Sequence, residues 1–348
     1  MTKEVPRLFI GEIGLAIVLN EIASREKLNG LIRLVGVVLA ALSVFSCTPQ
    51  LHCNEQLRIG TNIWPGYEPL YLARELDYFS DQEVRLVEFS SASQVMRAYR
   101  NGVIDAAALS LDETILLLSQ GYNPRIILVM DISTGADAII GRPEINEMAD
   151  LVGKKVGVEN SALGIFMLSR ALELNNMTID QVEIIPLTID KHHHAFEQGW
   201  VDAVVTFEPI KTALKKRLGN VLFDSTEIPA EIVDVLVIRE QFLKDHPESA
   251  SNIQKGWYKA LNYFGNHANE AAAMMSSRLG LKPTEVLASF EELILPAKQQ
   301  NDQLLGYQQK AEPELLNTAT KLYGSMIKQG IKPEAIELRS LFLQEQYQ

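Results

Sequence analysis

The chain has 348 residues, 47% of them hydrophobic, so it is long enough for about two domains and apolar enough to bury a large core. This composition excludes a disordered or fibrous protein. The 32 Lys and Arg residues face 44 Asp and Glu residues, and the net charge of -12 is spread along the chain without a charged tail. We expect no nucleic-acid partner, because phosphate binding needs clustered Lys and Arg.

An uncharged apolar run occupies residues 34–46 and follows several basic residues. It is shorter than the roughly 20 apolar residues that cross a bilayer, and its layout is typical of a secretory signal. Cys47 follows the run directly, which resembles the lipobox of bacterial lipoproteins, although Phe45 is bulkier than usual there. We predict a leader or signal segment over residues 1–46, lipidation of Cys47 and a tether over residues 47–56.

Two alternatives for this region stay open. Cys47 and Cys53 could form a disulfide in a secreted protein without a lipid. The beginning of the leader fits a signal poorly, so either the true start lies near Lys27 or an N-terminal membrane helix exists, which Glu12 would make costly. Two close cysteines do not complete a zinc set, so we expect neither a metal nor a cofactor.

The pattern from residue 57 predicts alternating strands and helices. Short apolar runs indicate buried strands, and Ser-rich or turn-rich segments indicate helix starts. The predicted order is strand 57–61, helix 68–76, strand 84–89, a helix beginning at 90–93, strand 105–109, helix 112–119, strand 125–130 and a short strand at 138–140. This order predicts a mostly parallel sheet covered by helices.

The next part of the chain repeats this order. The predicted elements are strand 155–158, helix 161–174, strand 182–188, helix 191–198, strand 201–205, helix 209–217, strand 221–223 and strand 232–238. The last of these strands is long and apolar, which suits a crossing back to the first unit. From residue 241 the pattern is almost wholly helical, with prolines at helix starts or breaks.

The two units match in one register. Lys155 lies 97 positions after Arg58 and begins a similar five-residue segment, and residues 195–203 lie the same 97 positions after the similar residues 98–106. Two unlinked matches at one spacing indicate a duplicated unit. The duplication predicts two similar α/β lobes with the binding site between them.

With these features in place, the chain resembles periplasmic substrate-binding proteins of ABC importers. Within them it is similar to the nitrate, sulfonate and taurine type, whose thiamine-precursor-binding relatives share the fold. The resemblance extends from about residue 57 to the end and rests on residues 58–60, 64–67, 70–73, 76–79, 102–106, 150–158, 199–203, 208–209 and 242–247. It implies the type II periplasmic-binding-protein fold: two lobes, each a mostly parallel sheet flanked by helices, and a helical C-terminal region.

We predict that the first lobe consists of residues 57–140 plus 235–348 and the second of residues 141–234. In open parallel sheets, ligands bind outside the carboxyl ends of the strands. The residues predicted to bind the ligand stand at these ends or at the crossings, and they are Asn62, Trp64, Ser91, Ser110, Asp131, Glu159, Ser161, Thr206, Glu208 and Asp234. Taken singly, most of them have a local explanation, such as a helix cap or a turn.

Acids outnumber cations among these strand-end residues. A small anion prefers N–H donors, helix N-termini or cationic side chains. An unpaired carboxylate near an anion would repel it by several kcal/mol at an effective dielectric constant of about 20. We therefore favour a ligand with N–H donors or a positive charge, such as an aminopyrimidine or an amine. In the alternative interpretation, the helix starts at Ser91 and Ser161 form an anion site and the acids face away.

The predicted function is a monomeric, lipid-anchored protein on the periplasmic or cell-surface side of the bacterial inner membrane. The resemblance implies that it binds a small molecule between its lobes and delivers it to an ABC permease. We do not predict an enzyme, because the folded part contains neither a nucleophile and base pair nor a phosphate loop. Two alternatives remain: a receptor that presents its ligand to a membrane sensor, and an enzyme similar to thiamine-pyrimidine synthases.

Overall fold

A computed structural model describes residues 56–80, 82–159, 161–217, 219–307, 312–328 and 336–343. The predicted leader, Cys47 and all of the tether except its last residue lie outside the described residues. Within the described ranges, no helix is both long and apolar enough to cross a membrane.

The strands and helices follow the predicted alternation. The strands are β1 (Leu57–Thr61), β2 (Val84–Glu88), β3 (Ala106–Ser110), β4 (Pro124–Ser133), β5 (Asp137–Gly141), β6 (Lys155–Val158), β7 (Glu183–Pro186), β8 (Ala203–Phe207), β9 (Asn220–Asp224), β10 (Val233–Arg239) and β11 (Leu293–Ile294). The helices are α1 (Glu68–Glu75), α2 (Ala92–Arg100), α3 (Leu111–Ser119), α4 (Ala162–Leu174), α5 (Ile189–Glu197), α6 (Ile210–Lys215), α7 (Glu240–Asp245), α8 (Ser249–Asn266), α9 (Ala268–Leu279), α10 (Pro283–Glu291), α11 (Lys298–Leu304) and α12 (Leu315–Lys328).

The strands form two mixed sheets. The first has six strands in the order β11-β4-β10-β3-β1-β2, and the second has five in the order β7-β6-β8-β5-β9. In the first sheet β1 to β4 share one direction, whereas β10 and β11 run opposite to them. In the second sheet only β5 runs opposite to the others. Most strands of each sheet share one direction, and the two mixed sheets with their flanking helices confirm the predicted two-lobed α/β fold.

The structure repeats the 97-residue spacing in detail. Helix α2 and strand β3 begin 97 positions before α5 and β8. Strand pairing follows the same spacing, because Ile59 pairs with Ala106 and Val156 pairs with Ala203. In both copies an aspartate carboxylate also accepts the backbone N–H at the start of the first strand, at 3.1 Å in one copy and 2.9 Å in the other. Strands β6 and β8 with helix α5 therefore repeat the arrangement of β1 and β3 with helix α2.

Sheet membership places the first crossing earlier than the sequence predicts. Strand β5 pairs with β8 and β9 in the second sheet, so the chain leaves the first sheet at residues 134–136 and not after residue 140. It returns between β9 and β10. The apolar run at 138–140 marks a strand, but partner choice depends on tertiary pairing that a local pattern does not contain. We propose lobe boundaries at these two crossings.

The lobes pack against each other through a shared core. One apolar cluster joins Val95 and Ile115 of the first lobe to Phe166 and Leu168 of the second. A second cluster lies on the other face of the first sheet, where the fully buried Trp257 of α8 packs among residues of α1 and α9. Helices α8, α9 and α10 thus pack on the first sheet, and the two sheets form the walls of one cleft.

Candidate functional site

A cavity lies between the two sheets, at the carboxyl ends of β1, β3, β6 and β8. It contains about 530 Å³ of space including its open mouth. The lining residues are Asn62, Trp64, Tyr67, Ala92, Ser110, Glu113, Asp137, Glu159, Ser161, Leu163, Gly164, Met167, Val205, Thr206, Phe207 and Asp234.

The cavity brings together seven of the ten predicted residues. They come from both lobes and from segments far apart in the chain, which is the convergence expected of strand ends in two facing sheets. The seven are Asn62, Trp64, Ser110, Glu159, Ser161, Thr206 and Asp234.

The other three predicted residues do not line the cavity, and each bonds to another residue. Ser91 is the N-cap of α2, where its side chain accepts from the Gln94 N–H at 3.4 Å. The Asp131 carboxylate accepts from Trp64 Nε1 at 3.0 Å. The expectation that Glu208 faces the cleft is not met.

Glu208 bonds to the helix that follows it. Its carboxylate accepts from Thr212 N at 3.2 Å and from Thr212 Oγ1 at 2.9 Å. These two bonds place the Glu208 carboxylate at the start of α6, where an acid is favourable because the N-terminus of a helix is partly positive. The helix therefore accounts for an acid at position 208.

Two acids of the lining, Glu113 and Asp137, were not predicted. Glu113 stands three residues after Ser110 and accepts from the Ser110 N–H at 3.3 Å, so its sequence signal is that of a capping box. Asp137 begins β5, and its N–H donates to Ser133 Oγ at 3.2 Å. Neither pattern points to a cleft, because both residues reach it only through the strand order of the two sheets.

Aromatic side chains of both lobes close one end of the cavity. Trp64 of the first lobe meets Phe207 of the second edge-to-face, with ring centroids 5.5 Å apart. Tyr67 O–H donates to Asp234 Oδ1 at 3.0 Å. The aromatic wall excludes water and fixes two of the carboxyl groups, Asp131 through Trp64 and Asp234 through Tyr67.

Burial raises the pKa of five carboxyl groups in or beside the cavity. It raises the pKa of Asp131 and of Asp137 to about 7 and that of Asp112 to about 6. Burial, with neighbouring carboxylates as a second cause, raises the pKa of Glu113 and Asp234 well above the usual range. Without a cationic partner, several of these groups therefore hold a proton near neutral pH.

Lys211, a buried cation whose charge acts on Asp137, is already paired. Lys211 Nζ donates to Gly135 O at 2.7 Å and to Glu292 Oε1 at 2.6 Å, and Lys211 does not line the cavity. Among the described residues, the lining contains no Lys, Arg or His. The described ranges also contain no group of three or more His, Cys, Asp or Glu residues that could hold a metal ion.

Several buried oxygens of the lining have no hydrogen-bond partner among the described residues. They are Glu113 Oε1, Asp137 Oδ2, Ser110 Oγ and Thr206 Oγ1. Buried polar atoms without a partner are unusual and costly. The two carboxyl oxygens are acceptors when ionised, a protonated carboxyl can donate, and the hydroxyls can serve either way. A ligand with N–H groups or a positive charge would favour the ionised, accepting form of these acids.

The NMT1-like family matches residues 52–277, which is more than half of the chain. The chain belongs to the NMT1-like family. Two relatives of this NMT1-like protein are named for the ligands they bind. The taurine-binding periplasmic protein of Escherichia coli (strain K12) is 27% identical over 187 residues, which cover 52% of this chain and 58% of that protein. A candidate aliphatic sulfonates-binding protein of Bacillus subtilis (strain 168) is 26% identical over 71% of this chain and 77% of its own.

Solved structures confirm the two-lobed fold. The alkanesulfonate-binding protein SsuA from Xanthomonas axonopodis pv. citri, bound to MOPS, superposes with a TM-score of 0.68 at 16% identity over 81% of this chain and 96% of that chain. The periplasmic aliphatic sulphonate binding protein SsuA from Escherichia coli superposes with the same TM-score at 18% identity, over 83% of this chain and 92% of that chain. At such identities the likeness is one of fold alone. The family and its named relatives confirm the resemblance seen in the sequence.

Proposed function

We propose that this NMT1-like protein is the solute-binding component of an ABC importer, which closes its two lobes on a small molecule and delivers it to a membrane permease. The observation that carries this proposal is the cavity between the two sheets, which residues of both lobes line. One relative is named as a taurine-binding periplasmic protein, which supports an extracytoplasmic location. Hinge closure of two lobes around a ligand is a known mode of such proteins.

The lining supports a ligand that donates N–H groups. Glu113 Oε1 and Asp137 Oδ2 lack partners among the described residues, and both residues are less than 5% exposed. An ammonium, amine or amidine group in the cleft would satisfy these oxygens. It would also supply the positive charge that the described lining lacks, so its binding would favour the ionised form of the acids.

A simple anion is a poor partner for the same lining. Two like charges 4 Å apart repel by about 4 kcal/mol at an effective dielectric constant of about 20. Glu113, Asp137, Glu159 and Asp234 all border the cavity, so an anion would bind near carboxyl groups that had to stay protonated. Of the ligand classes in the relatives' names, taurine fits better than a simple alkanesulfonate, because taurine carries an ammonium group beside its sulfonate.

Isothermal titration calorimetry with matched ligand pairs tests this polarity. The first pair is taurine and isethionate, which share an ethanesulfonate but carry an ammonium group and a hydroxyl group, respectively. The second pair is an aminopyrimidine and the unsubstituted pyrimidine. We expect at least one N–H-bearing ligand to bind, its partner to bind at least tenfold more weakly, and Asp137→Asn to reduce that preference. Asp224→Asn is the control, because Asp224 bonds to Thr226 N at 2.9 Å and does not line the cavity. Equal binding of both members of each pair would refute the proposed polarity.

We propose further that Cys47 carries a lipid that holds the protein at the membrane. The apolar run at 34–46 with its basic flank supports this anchor, since a lipidated cysteine follows such a run in bacterial lipoproteins. Replacement of Cys47 by Ala should move the protein from the membrane fraction to the soluble fraction, whereas Cys53→Ala should leave it at the membrane. A native protein that is soluble and keeps its leader would contradict the anchor.

A further inference from the structure

The Glu159 side chain crosses the cleft and bonds to the opposite lobe. Glu159 follows β6 in the second sheet, and its Oε1 accepts from Ser93 N at 3.2 Å and from Ser93 Oγ at 2.9 Å. Ser93 lies in the first turn of α2, which packs on the first sheet. Glu159 is 4% exposed and Ser93 is half-buried, so this contact between lobes is partly shielded from water.

The contact lies where a helix attracts negative charge. The first backbone N–H groups of a helix have no partner within the helix, and the helix dipole makes that end positive. Helix α2 has no acidic residue in its own first turn. Its copy in the second lobe, α5, carries Asp190 in its first turn. The first turn of α2 is therefore bonded to the Glu159 carboxylate of the other lobe, whereas the first turn of α5 contains its own carboxylate, Asp190.

The duplicated position shows that this acid is not required by the fold. Asn62 lies 97 positions before Glu159 and follows β1 as Glu159 follows β6. The Asn62 amide donates to the neighbouring Ile63 O at 3.3 Å and makes no comparable bond to the other lobe among the described residues. The same strand end therefore holds a neutral side chain in one copy and a cleft-spanning carboxylate in the other.

Independent features of the cavity show that a ligand would meet this contact. Ala92, which precedes Ser93 in α2, lines the cavity together with Glu159. So does Glu113, which is 2% exposed and whose Oε1 has no partner among the described residues. A ligand that satisfies Glu113 would therefore lie beside the bond between Glu159 and Ser93.

We infer that Glu159 is an internal anion: its carboxylate fills the anion position at the start of α2, joins the lobes without a ligand, and excludes anionic ligand groups from that end of the cleft. This role rests on the proposed ligand cleft and makes Glu159 a specificity-determining residue. The carboxylate provides both the charge and the acceptor oxygens that an anion would bring. A ligand anion would have to displace it or bind beside a like charge.

Two variants separate the charge from the bond. Glu159→Gln keeps an acceptor oxygen for Ser93 but removes the charge, and Glu159→Ala removes both. Glu83→Gln is the matched control, because Glu83 Oε2 accepts from Ser80 N at 3.2 Å and from Ser80 Oγ at 3.0 Å within one lobe. The Glu83 bonds thus have nearly the same geometry without a crossing between lobes.

The first measurement is hydrogen exchange of the Ser93 amide in the full-length protein without ligand. We expect exchange at least tenfold faster in Glu159→Ala than in the native protein and no change at Ser93 in Glu83→Gln, because the Glu159 carboxylate accepts from this amide whereas the Glu83 carboxylate accepts from Ser80. The second is calorimetric titration with methanesulfonate, an anion without N–H groups. We expect its affinity to rise at least tenfold in Glu159→Ala, with Glu159→Gln between that variant and the native protein.

Unchanged Ser93 exchange in Glu159→Ala would overturn the inference. So would equal methanesulfonate affinity in the native protein and both Glu159 variants. Binding of N–H-bearing ligands is measured separately on the native protein, so failure of the proposed function and failure of this role for Glu159 are distinguishable.

Discussion

Replacement of Asp137 by Asn should flatten the pH dependence of stability. Burial raises the pKa of Asp137 from 3.8 to about 7, so the folded state holds a proton that the unfolded chain releases at lower pH. For an acid with a raised folded-state pKa, the stabilisation is complete below pH 4 and is lost as pH rises towards 7. A shift of about three units corresponds to a loss of about 4 kcal/mol, or about 1.4 kcal/mol per pH unit within this window.

Urea unfolding between pH 4.5 and 8 measures this effect. The free energy of unfolding of the native protein should fall with pH more steeply than that of Asp137→Asn, by about 1.4 kcal/mol per unit up to pH 7. The comparison uses the slope of the free energy of unfolding against pH and not the free energy itself. The buried Asn amide has N–H donors without partners, which lower the stability by about 1–3 kcal/mol at every pH. Asp224→Asn is the control and should keep the native slope. An Asp137→Asn slope equal to the native slope would show that Asp137 is ionised in the folded protein.

Two further substitutions test the wall that holds Asp131. A Cβ on Gly66 would clash with Asp131 Oδ2, so Gly66→Ala should lower the urea midpoint by the equivalent of about 1–3 kcal/mol. Gly265→Ala is the control and should not lower the midpoint, because a Cβ on Gly265 would meet open space. Trp64→Phe removes the Nε1 donor to Asp131 and should cost about 1–3 kcal/mol in the same assay, whereas Trp200→Phe should have little effect because Trp200 is 57% exposed. A Trp64→Phe protein as stable as Trp200→Phe would contradict the assigned bond.

The sequence contains much of the fold because local chemistry specifies the elements. β1 is found at the predicted residues, and the 97-residue spacing predicts the equivalence of α2 with α5 and of β3 with β8. Strand β5 was also predicted as an element, but its place in the second sheet was not. Pairing between distant strands is decided by the whole core and not by the residues of one strand.

The cavity lining was predictable where residues stand directly at the ends of parallel strands. Asn62, Ser110 and Glu159 are examples, since the direction of their strands fixes where the next residues go. Glu113 and Asp137 were missed because their local patterns are those of a helix cap and a strand start. Glu208 illustrates the opposite case, since its own helix offers a partner only four residues away.

Mass spectrometry of small molecules released by denaturation from protein purified from its own cells tests the ligand-binding role most directly. The unpartnered oxygens of Glu113 and Asp137 predict a released molecule that carries an ammonium, amine or other N–H donor and that rebinds the native protein in a calorimetric titration. Trp64→Phe and Asp137→Asn should release less of it. A released and rebinding molecule without any N–H group, such as nitrate or a simple alkanesulfonate, would contradict the polarity that we assign to the cleft.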